Sequence, residues 1–164
     1  MNITWQWRQF NEISGLELHE ILAERQRVFV VEQACAYLDA DELDMNAWHL
    51  SGRFSNGCLA AYARIVQPGT RYRIPALGRI LTPKAFRSMG LGRRLVQTCI
   101  EKCICEYPGM DIFISAQTYL MDFYQGFGFT TMGLSYDDEG IEHVDMILRA
   151  QARTVNRCFV EKAT

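Results

Sequence analysis

The sequence predicts a single α/β domain with a mixed β-sheet and helices on both of its faces. Three observations support this fold class. A long helical repeat of apolar residues runs from about Gly90 to Glu106, two turn sequences separate pairs of strand-like segments, and strands alternate with helices only in part. The chain of 164 residues has an ordinary single-domain length, so we expect residues 1–164 to form one unit.

The first predicted helix begins at Ser14. Ser14 and Glu17 have the spacing of a capping box, and apolar residues then recur at helical intervals as far as Phe29. Residues 35–46 are polar and carry four carboxylates. We expect this acidic segment to be a solvated loop, with attraction of a cationic acceptor as the alternative.

The remaining elements follow from turn and breaker residues. Asn56-Gly57 between two apolar runs indicates a β-hairpin, because both residues tolerate positive φ. Tyr107-Pro108-Gly109 ends the long helix, and Gly128 ends a short one. The predicted strands are 47–54, 58–66, 76–82, 110–116, 129–136 and 141–149, and the predicted helices after the first are 90–106 and 119–126.

Charge and hydropathy exclude several classes of protein. Seventeen basic and 19 acidic residues give a net charge of −2, whereas proteins that bind nucleic acids usually carry a basic excess. No apolar run approaches the ~20 residues of a membrane span, and the N-terminus lacks the pattern of a secretory signal. We therefore expect a cytoplasmic protein with neither a nucleic acid nor a membrane as partner.

Six cysteines are present, but their spacing does not fit a metal site. The chain contains no Cys-x-x-Cys pair, and none of its three histidines lies at ligand spacing from a cysteine. We expect no metal, free buried thiols and a reducing compartment. Cys35, in the acidic segment, is the only cysteine that we consider as an alternative nucleophile.

The most informative segment is the glycine loop, residues 87–92, which opens the long helix. The first amides of a helix have no intrahelical partner, and the helix dipole adds partial positive charge there. Gly90 and Gly92 let a ligand approach the backbone, so the loop is suited to a pyrophosphate. A nucleotide-binding P-loop would need a lysine that is missing, and a dinucleotide fingerprint would need glycine instead of Leu95.

Two further segments extend this motif into a family resemblance. Arg-x-x-Gly-x-Gly after Leu81-Thr82-Pro83, with Phe123-Tyr124-Gln125-Gly126-Phe127-Gly128-Phe129 downstream, resembles the GNAT superfamily of N-acetyltransferases. The segments 27–33 and 138–143 resemble its ElaA branch, so the similarity extends nearly to Arg149. The resemblance implies a mostly antiparallel sheet of six to seven strands that is splayed in its middle, with about four helices on both faces.

The resemblance also implies acetyl-CoA as co-substrate and assigns roles to residues. The backbone of Arg79, Ile80 and Leu81 would pair with the pantetheine arm, and one amide there would polarise the thioester carbonyl. Gln117 replaces an asparagine that contacts the cofactor in many relatives. Tyr124 would protonate the departing thiolate. The pyrophosphate would be held by Arg87, Ser88, Met89, Gly90, Leu91 and Gly92, with Arg93 adding charge.

The general base is less clearly indicated. His49 lies on a predicted strand, and histidine suits this role because it titrates near neutral pH. Glu32 and then His143 are the alternatives, and the strand pattern predicts that His143 and Asp145 share one face, with Val144 and Met146 on the other.

The expected function is transfer of an acetyl group from acetyl-CoA to a primary amine of a small or peptidic acceptor, in a ternary complex. An acyl-CoA sensor with little turnover is the main alternative. A weaker one is an acyl-homoserine-lactone synthase, which residues 25–29 resemble loosely. The sequence is compatible with a homodimer but does not determine the oligomeric state. It also does not reveal the role of the tail after about residue 150.

Overall fold

The computed structural model describes residues 2–150, which form one seven-stranded sheet and three α-helices. The spatial order of the strands is β1-β2-β3-β4-β5-β7-β6. The strands are β1 Ile3–Gln9, β2 Ala47–Phe54, β3 Leu59–Val66, β4 Ala76–Leu81, β5 Ile112–Gln117, β6 Thr130–Asp138 and β7 Ile141–Leu148. The helices are α1 Gly15–Arg25, which continues as a π-helical segment Gln26–Glu32, then α2 Leu91–Glu106 and α3 Met121–Gln125.

The local signals in the sequence are confirmed. Ser14 caps α1 through a capping box in which its side chain accepts from the amide of Glu17. Gly57 has φ +85° and closes the β2–β3 hairpin by donating to Phe54. The β6–β7 hairpin turns through Glu139 and Gly140, both with positive φ. These local interactions fix the boundaries of the elements.

The edge strand β1 was not predicted. It pairs antiparallel with β2, from Ile3 opposite Phe54 to Gln9 opposite Trp48. Its signal is the alternation of Ile3, Trp5 and Trp7 with polar residues, which is the period of a half-buried strand.

The sheet is mixed, and it splits at its single parallel pair. β4 and β5 pair only at Ala76 opposite Phe113 and Leu77 opposite Ile114. Beyond these residues the two strands separate, although β4 continues to Leu81 and β5 to Gln117. This opening, which we call the splay, is the expected interruption in the middle of the sheet.

The two faces of the sheet carry separate cores. The apolar face of α2 packs against alternate residues of the strands, including Ala61, Ala63, Val144 and Met146. Tyr62 projects to the opposite face and packs with residues of α1 and its π-helical continuation. The helices therefore cover both faces, as the sequence predicts.

The expectation of free buried thiols holds in part. Cys35 and Cys99 are free and buried, Cys103 is buried, and Cys58 is free and exposed. Cys105 is disulfide-bonded, which contradicts the expectation for that residue. Cys158 and the C-terminal tail lie outside the described residues. No helix in the described part of the chain combines the length and the apolar character needed to cross a membrane.

Candidate acyl-CoA site

The glycine loop lies between β4 and α2 and extends into the first turn of α2, and its residues 87–90 are exposed to solvent. Ser88 and Gly90 both have positive φ, a conformation typical of loops that turn their amides toward an anion. Gly90 is the N-cap of α2 and provides no side-chain cap. The amides of the first helical turn are therefore available to a ligand.

Gly92 leaves space at the start of α2. A Cβ atom at this position would lie 4.0 Å from Thr82 Oγ1, with no closer neighbour. This contact also shows that the first turn of α2 lies against the end of β4. The helix N-terminus and the splay therefore share one border, as a ligand contacting both would require.

Arg87 is held by an acidic residue of the π-helical segment. Its guanidinium donates to both carboxylate oxygens of Glu32, at 2.5 and 2.9 Å, and to the carbonyl of Thr82 at 3.1 Å. The hydrogen bonds from Arg87 lower the pKa of Glu32. Glu32 is therefore the ion-pair partner of Arg87, and its lowered pKa makes its carboxylate a weak base.

Arg93 belongs to the first turn of α2, and its side chain reaches the region of α3. Its guanidinium carbon is 5.2 Å from the ring centre of Phe127 and 5.9 Å from that of Phe123, within range of cation–π attraction. A cavity of about 790 Å³ opens here, lined in part by Gly90, Arg93 and Phe127. Its volume is in the range of small-molecule sites.

The second group of predicted cofactor residues, 79–81, lies on the part of β4 that has separated from β5. Arg64 pairs with Gly78 and Tyr62 with Leu81, so Arg79 and Ile80 together oppose one residue of β3. This is a β-bulge, and Arg79 has φ +50° within it. On the other edge of β4, the described pairing with β5 ends at Leu77, so backbone groups beside the splay are available to an extended ligand.

Gln117 ends β5 on the far side of the splay. Its side chain exchanges two hydrogen bonds with Gln33, at 3.1 and 3.4 Å, and accepts one from the Tyr119 hydroxyl at 2.6 Å. Gln33 directly follows the segment that supplies Glu32. One short segment after α1 thus contacts both Arg87 and Gln117, the two side chains predicted to meet the cofactor.

Tyr124 is buried in α3. Its ring makes edge contacts with Phe123 and Phe129, and 4% of the residue is exposed. Burial raises its pKa, so the phenol stays protonated at neutral pH. This protonation state is the one that the predicted role of Tyr124 as proton donor requires.

His49 does not have the free nitrogen that a direct general base requires. Its Nδ1 lies 2.6 Å from the Tyr62 hydroxyl, and its Nε2 lies 2.8 Å from the Asp44 carbonyl. The ring is buried, and desolvation lowers its pKa. Both nitrogens are used within the fold, so the geometry favours another residue over His49 as the direct base.

His143 has a more open arrangement. It pairs with Gln117 across the β5–β7 ladder, and its Nδ1 lies 2.8 Å from the Ile141 carbonyl. A carbonyl can only accept, so in the neutral ring Nδ1 carries the proton and Nε2 has the lone pair. This Nε2 has no hydrogen-bond partner in the described part of the chain. Asp145 lies on the same face, as predicted, and accepts from the Tyr136 hydroxyl at 2.8 Å.

The acidic segment is solvated only in part, because Glu42 is exposed whereas two of its aspartates are buried. Asp39 and Asp44 are 4% and 5% exposed. Their carboxylates bind arginines from α1, β3 and β4, all at 2.7–2.8 Å. Six side chains form what we call the buried ion network: Arg25, Asp39, Asp41, Asp44, Arg64 and Arg79.

The expectation of a solvated loop is therefore wrong for Asp39 and Asp44, because their charges are neutralised by arginines that are distant in sequence. Cys35 is also unsuited to act as a nucleophile. Burial, with nearby carboxylates, raises the pKa of its thiol, and its Sγ donates to the Glu139 carbonyl. Among residues 2–150, no group of three or more potential ligands is arranged to hold a metal ion.

Comparison with known proteins decides the family. A sequence profile described as "Acetyltransferase (GNAT) domain" matches residues 20–150. The chain belongs to the GNAT acetyltransferase family. Protein ElaA of Escherichia coli is 35% identical over 146 residues, which cover 88% of this chain and 95% of ElaA. A UPF0039 protein of Synechocystis is 57% identical over 149 residues, which cover 91% and 97% of the two chains.

Solved structures agree with this membership. The crystal structure of E. coli ElaA superposes with a TM-score of 0.83 at 34% identity and covers 89% of this chain and 99% of that one. An acyl-CoA N-acyltransferase from Pseudomonas aeruginosa gives a TM-score of 0.84 at 29% identity, with the same coverage. The GNAT fold and the ElaA-like relationship predicted from the sequence are therefore confirmed.

Proposed function

We propose that this GNAT protein is an N-acetyltransferase that transfers the acetyl group of acetyl-CoA to a primary amine of a small or peptidic acceptor. The observation that carries the proposal is the shared border of the splay and the glycine loop. The loop offers free helical amides to a pyrophosphate, and the splay offers unpaired backbone to an extended arm. Acetyl-CoA has both parts in one molecule.

The individual contacts follow from this placement. The backbone of residues 87–92 holds the pyrophosphate, and Arg87 and Arg93 add positive charge. The backbone of Arg79, Ile80 and Leu81 pairs with the pantetheine arm, and Gln117 contacts it from β5. The cavity beside Arg93 and Phe127, about 790 Å³ in volume, receives the adenosine half.

The transfer needs one base and one acid. The amine nitrogen attacks the thioester carbonyl carbon, so that a C–N bond forms and the C–S bond breaks. His143 Nε2 accepts the proton that the amine loses, because its lone pair is free while both nitrogens of His49 are bonded. The Tyr124 hydroxyl donates a proton to the leaving sulfur and regains one from solvent.

The test is thiol release from acetyl-CoA with a panel of primary amines, including polyamines, lysine and short peptides. We expect release that depends on one amine class. Tyr124→Phe should lower kcat by about a hundredfold while leaving the affinity for acetyl-CoA unchanged. Phe123→Tyr, which adds a hydroxyl one residue away, is the matched control.

Two outcomes would contradict the transferase proposal. Tight acetyl-CoA binding with no amine-dependent release would favour the acyl-CoA sensor. Full activity in Tyr124→Phe would remove the acid role from Tyr124 and leave protonation of the thiolate to water.

A further inference from the structure

Arg79 combines a strained backbone with a tightly held side chain. Four non-glycine residues among residues 2–150 have positive φ, and Arg79 alone of them lies between two paired positions of a strand. In bulges of this kind the left-handed position is usually glycine, because a Cβ atom disfavours it. An arginine here needs a compensating interaction.

The buried ion network provides that interaction. Arg79 Nε lies 2.8 Å from Asp39 Oδ1, and its Nη2 donates to the Asp39 carbonyl at 3.2 Å. The ring of Tyr37 lies 5.5 Å from the guanidinium carbon and that of Phe29 lies 6.0 Å away. Asp39 is itself fixed, because its Oδ2 accepts from Arg25 at 2.7 Å. The side chain is therefore anchored on the α1 side of the sheet.

The anchored residue lies at the opening of the splay. The β4–β5 ladder ends at Leu77 opposite Ile114, two residues before Arg79. Any rotation at Arg79 would redirect the backbone of the bulge, which borders the proposed path of the acyl arm. The anchor thus determines where these backbone groups point.

We propose that Asp39, through Arg79, holds the β4 bulge in its left-handed form and so aims a bulge amide at the thioester carbonyl of the bound acyl-CoA. Asp39 and Arg79 are positioning residues in this account, and neither side chain touches the acyl group. The inference rests on the proposed function, since it assumes that the thioester lies in the splay.

Two substitutions at one position separate this role from simple packing. Arg79→Ala and Arg79→Gly remove the same charge and the same contacts, but only glycine adopts positive φ without strain. If the anchor only stabilised the fold, Arg79→Gly would be the less stable variant, because glycine weakens strands. If the anchor holds a strained bulge, Arg79→Gly should melt about 3 °C above Arg79→Ala.

The carbonyl itself reports the aim of the bulge. Acetyl-CoA labelled with ¹³C at the acetyl carbonyl is bound to the protein, and the carbonyl stretch is recorded by isotope-edited infrared spectroscopy. A hydrogen bond from the bulge lowers this frequency. We expect the wild-type shift in Arg79→Gly and its loss in Arg79→Ala, with each variant saturated with acetyl-CoA so that the frequencies compare bound states.

Asp39→Asn tests the path of the effect. It should reduce the carbonyl shift in the wild-type background and change nothing further in Arg79→Gly, because it acts through Arg79. Equal carbonyl frequencies in wild type, Arg79→Ala and Arg79→Gly would overturn the proposal, as would equal loss in both variants. Absence of CoA binding by wild type would instead refute the proposed function, and melting would still test the anchor, because Asp39→Asn should then lower the melting temperature more in wild type than in Arg79→Gly.

Discussion

Arginines occur in two settings near β4, the buried ion network and the glycine loop, and their surroundings give them different roles. In the buried ion network, Arg25, Arg64 and Arg79 meet three carboxylates, and the side chains of Arg25 and Arg64 are at most 4% exposed. In the glycine loop, Arg87 has a side chain that is 40% exposed and is balanced by Glu32. Burial and full compensation make the first group part of the fold, whereas exposure leaves Arg87 free to exchange its partner.

Removing a carboxylate from the buried ion network should have the largest effect on stability. Asp44→Ala leaves Arg25 and Arg64 short of a partner in the protein interior, and we expect a loss of about 3–5 kcal/mol in the free energy of unfolding. Urea denaturation measures it. Glu32→Ala is the matched control, because it removes a carboxylate from an exposed pair and should cost less than about 1 kcal/mol. Equal losses would contradict the distinction between the two groups.

Removing Arg87 should have the reverse profile. Arg87→Ala deletes a cation beside the free amides of α2, so we expect acetyl-CoA to bind about tenfold more weakly, as for loss of one charged hydrogen bond. Its free energy of unfolding should stay within about 0.5 kcal/mol of wild type. Calorimetric titration and urea denaturation on the same preparation check both. Unchanged affinity would exclude Arg87 from the site.

Glu32→Gln sharpens the same point with a smaller effect. Glu32 accepts hydrogen bonds from the Arg87 guanidinium, which we assign to the pyrophosphate. The neutral Glu32→Gln variant should therefore bind acetyl-CoA up to about fivefold more tightly than wild type. Glu24→Gln, near the end of α1, is the control and should bind acetyl-CoA like wild type. Weaker binding in Glu32→Gln would mean that Glu32 orients Arg87 for the ligand instead of competing with it.

A further prediction concerns pH. Burial lowers the pKa of His49 in the folded protein, so the unfolded chain takes up a proton near its ordinary pKa of about 6.5 while the folded chain does not. Stability from this residue is therefore complete above about pH 6.5 and falls as the pH is lowered, by at most about 1.4 kcal/mol per pH unit. Urea midpoints at pH 7.5 and 5.5 should differ less in His49→Gln than in wild type. An equal difference would assign the pH dependence to other groups.

How far the sequence predicted the molecule depended on the range of the interaction. The capping box at Ser14, the hairpin at Gly57 and the start of α2 at Gly90 depend on neighbours, so their residues reveal them. The ion pair between Arg25 and Asp44 and the contact between Glu32 and Arg87 join residues 19 and 55 positions apart, and no local pattern signals them. For the same reason the left-handed bulge at Arg79 was missed, since its anchor comes from the acidic segment.

The measurement that tests the central claim most directly is titration of acetyl-CoA into wild type and two matched variants. Gly92→Glu and Gly15→Glu each place a carboxylate in the first turn of a helix. The helix dipole stabilises a negative charge at this position, so both variants should keep the fold. Only Gly92 lies in the glycine loop. We predict tight binding by wild type and Gly15→Glu and none by folded Gly92→Glu. Equal binding by all three, or no binding by wild type, would contradict an acyl-CoA site at the start of α2.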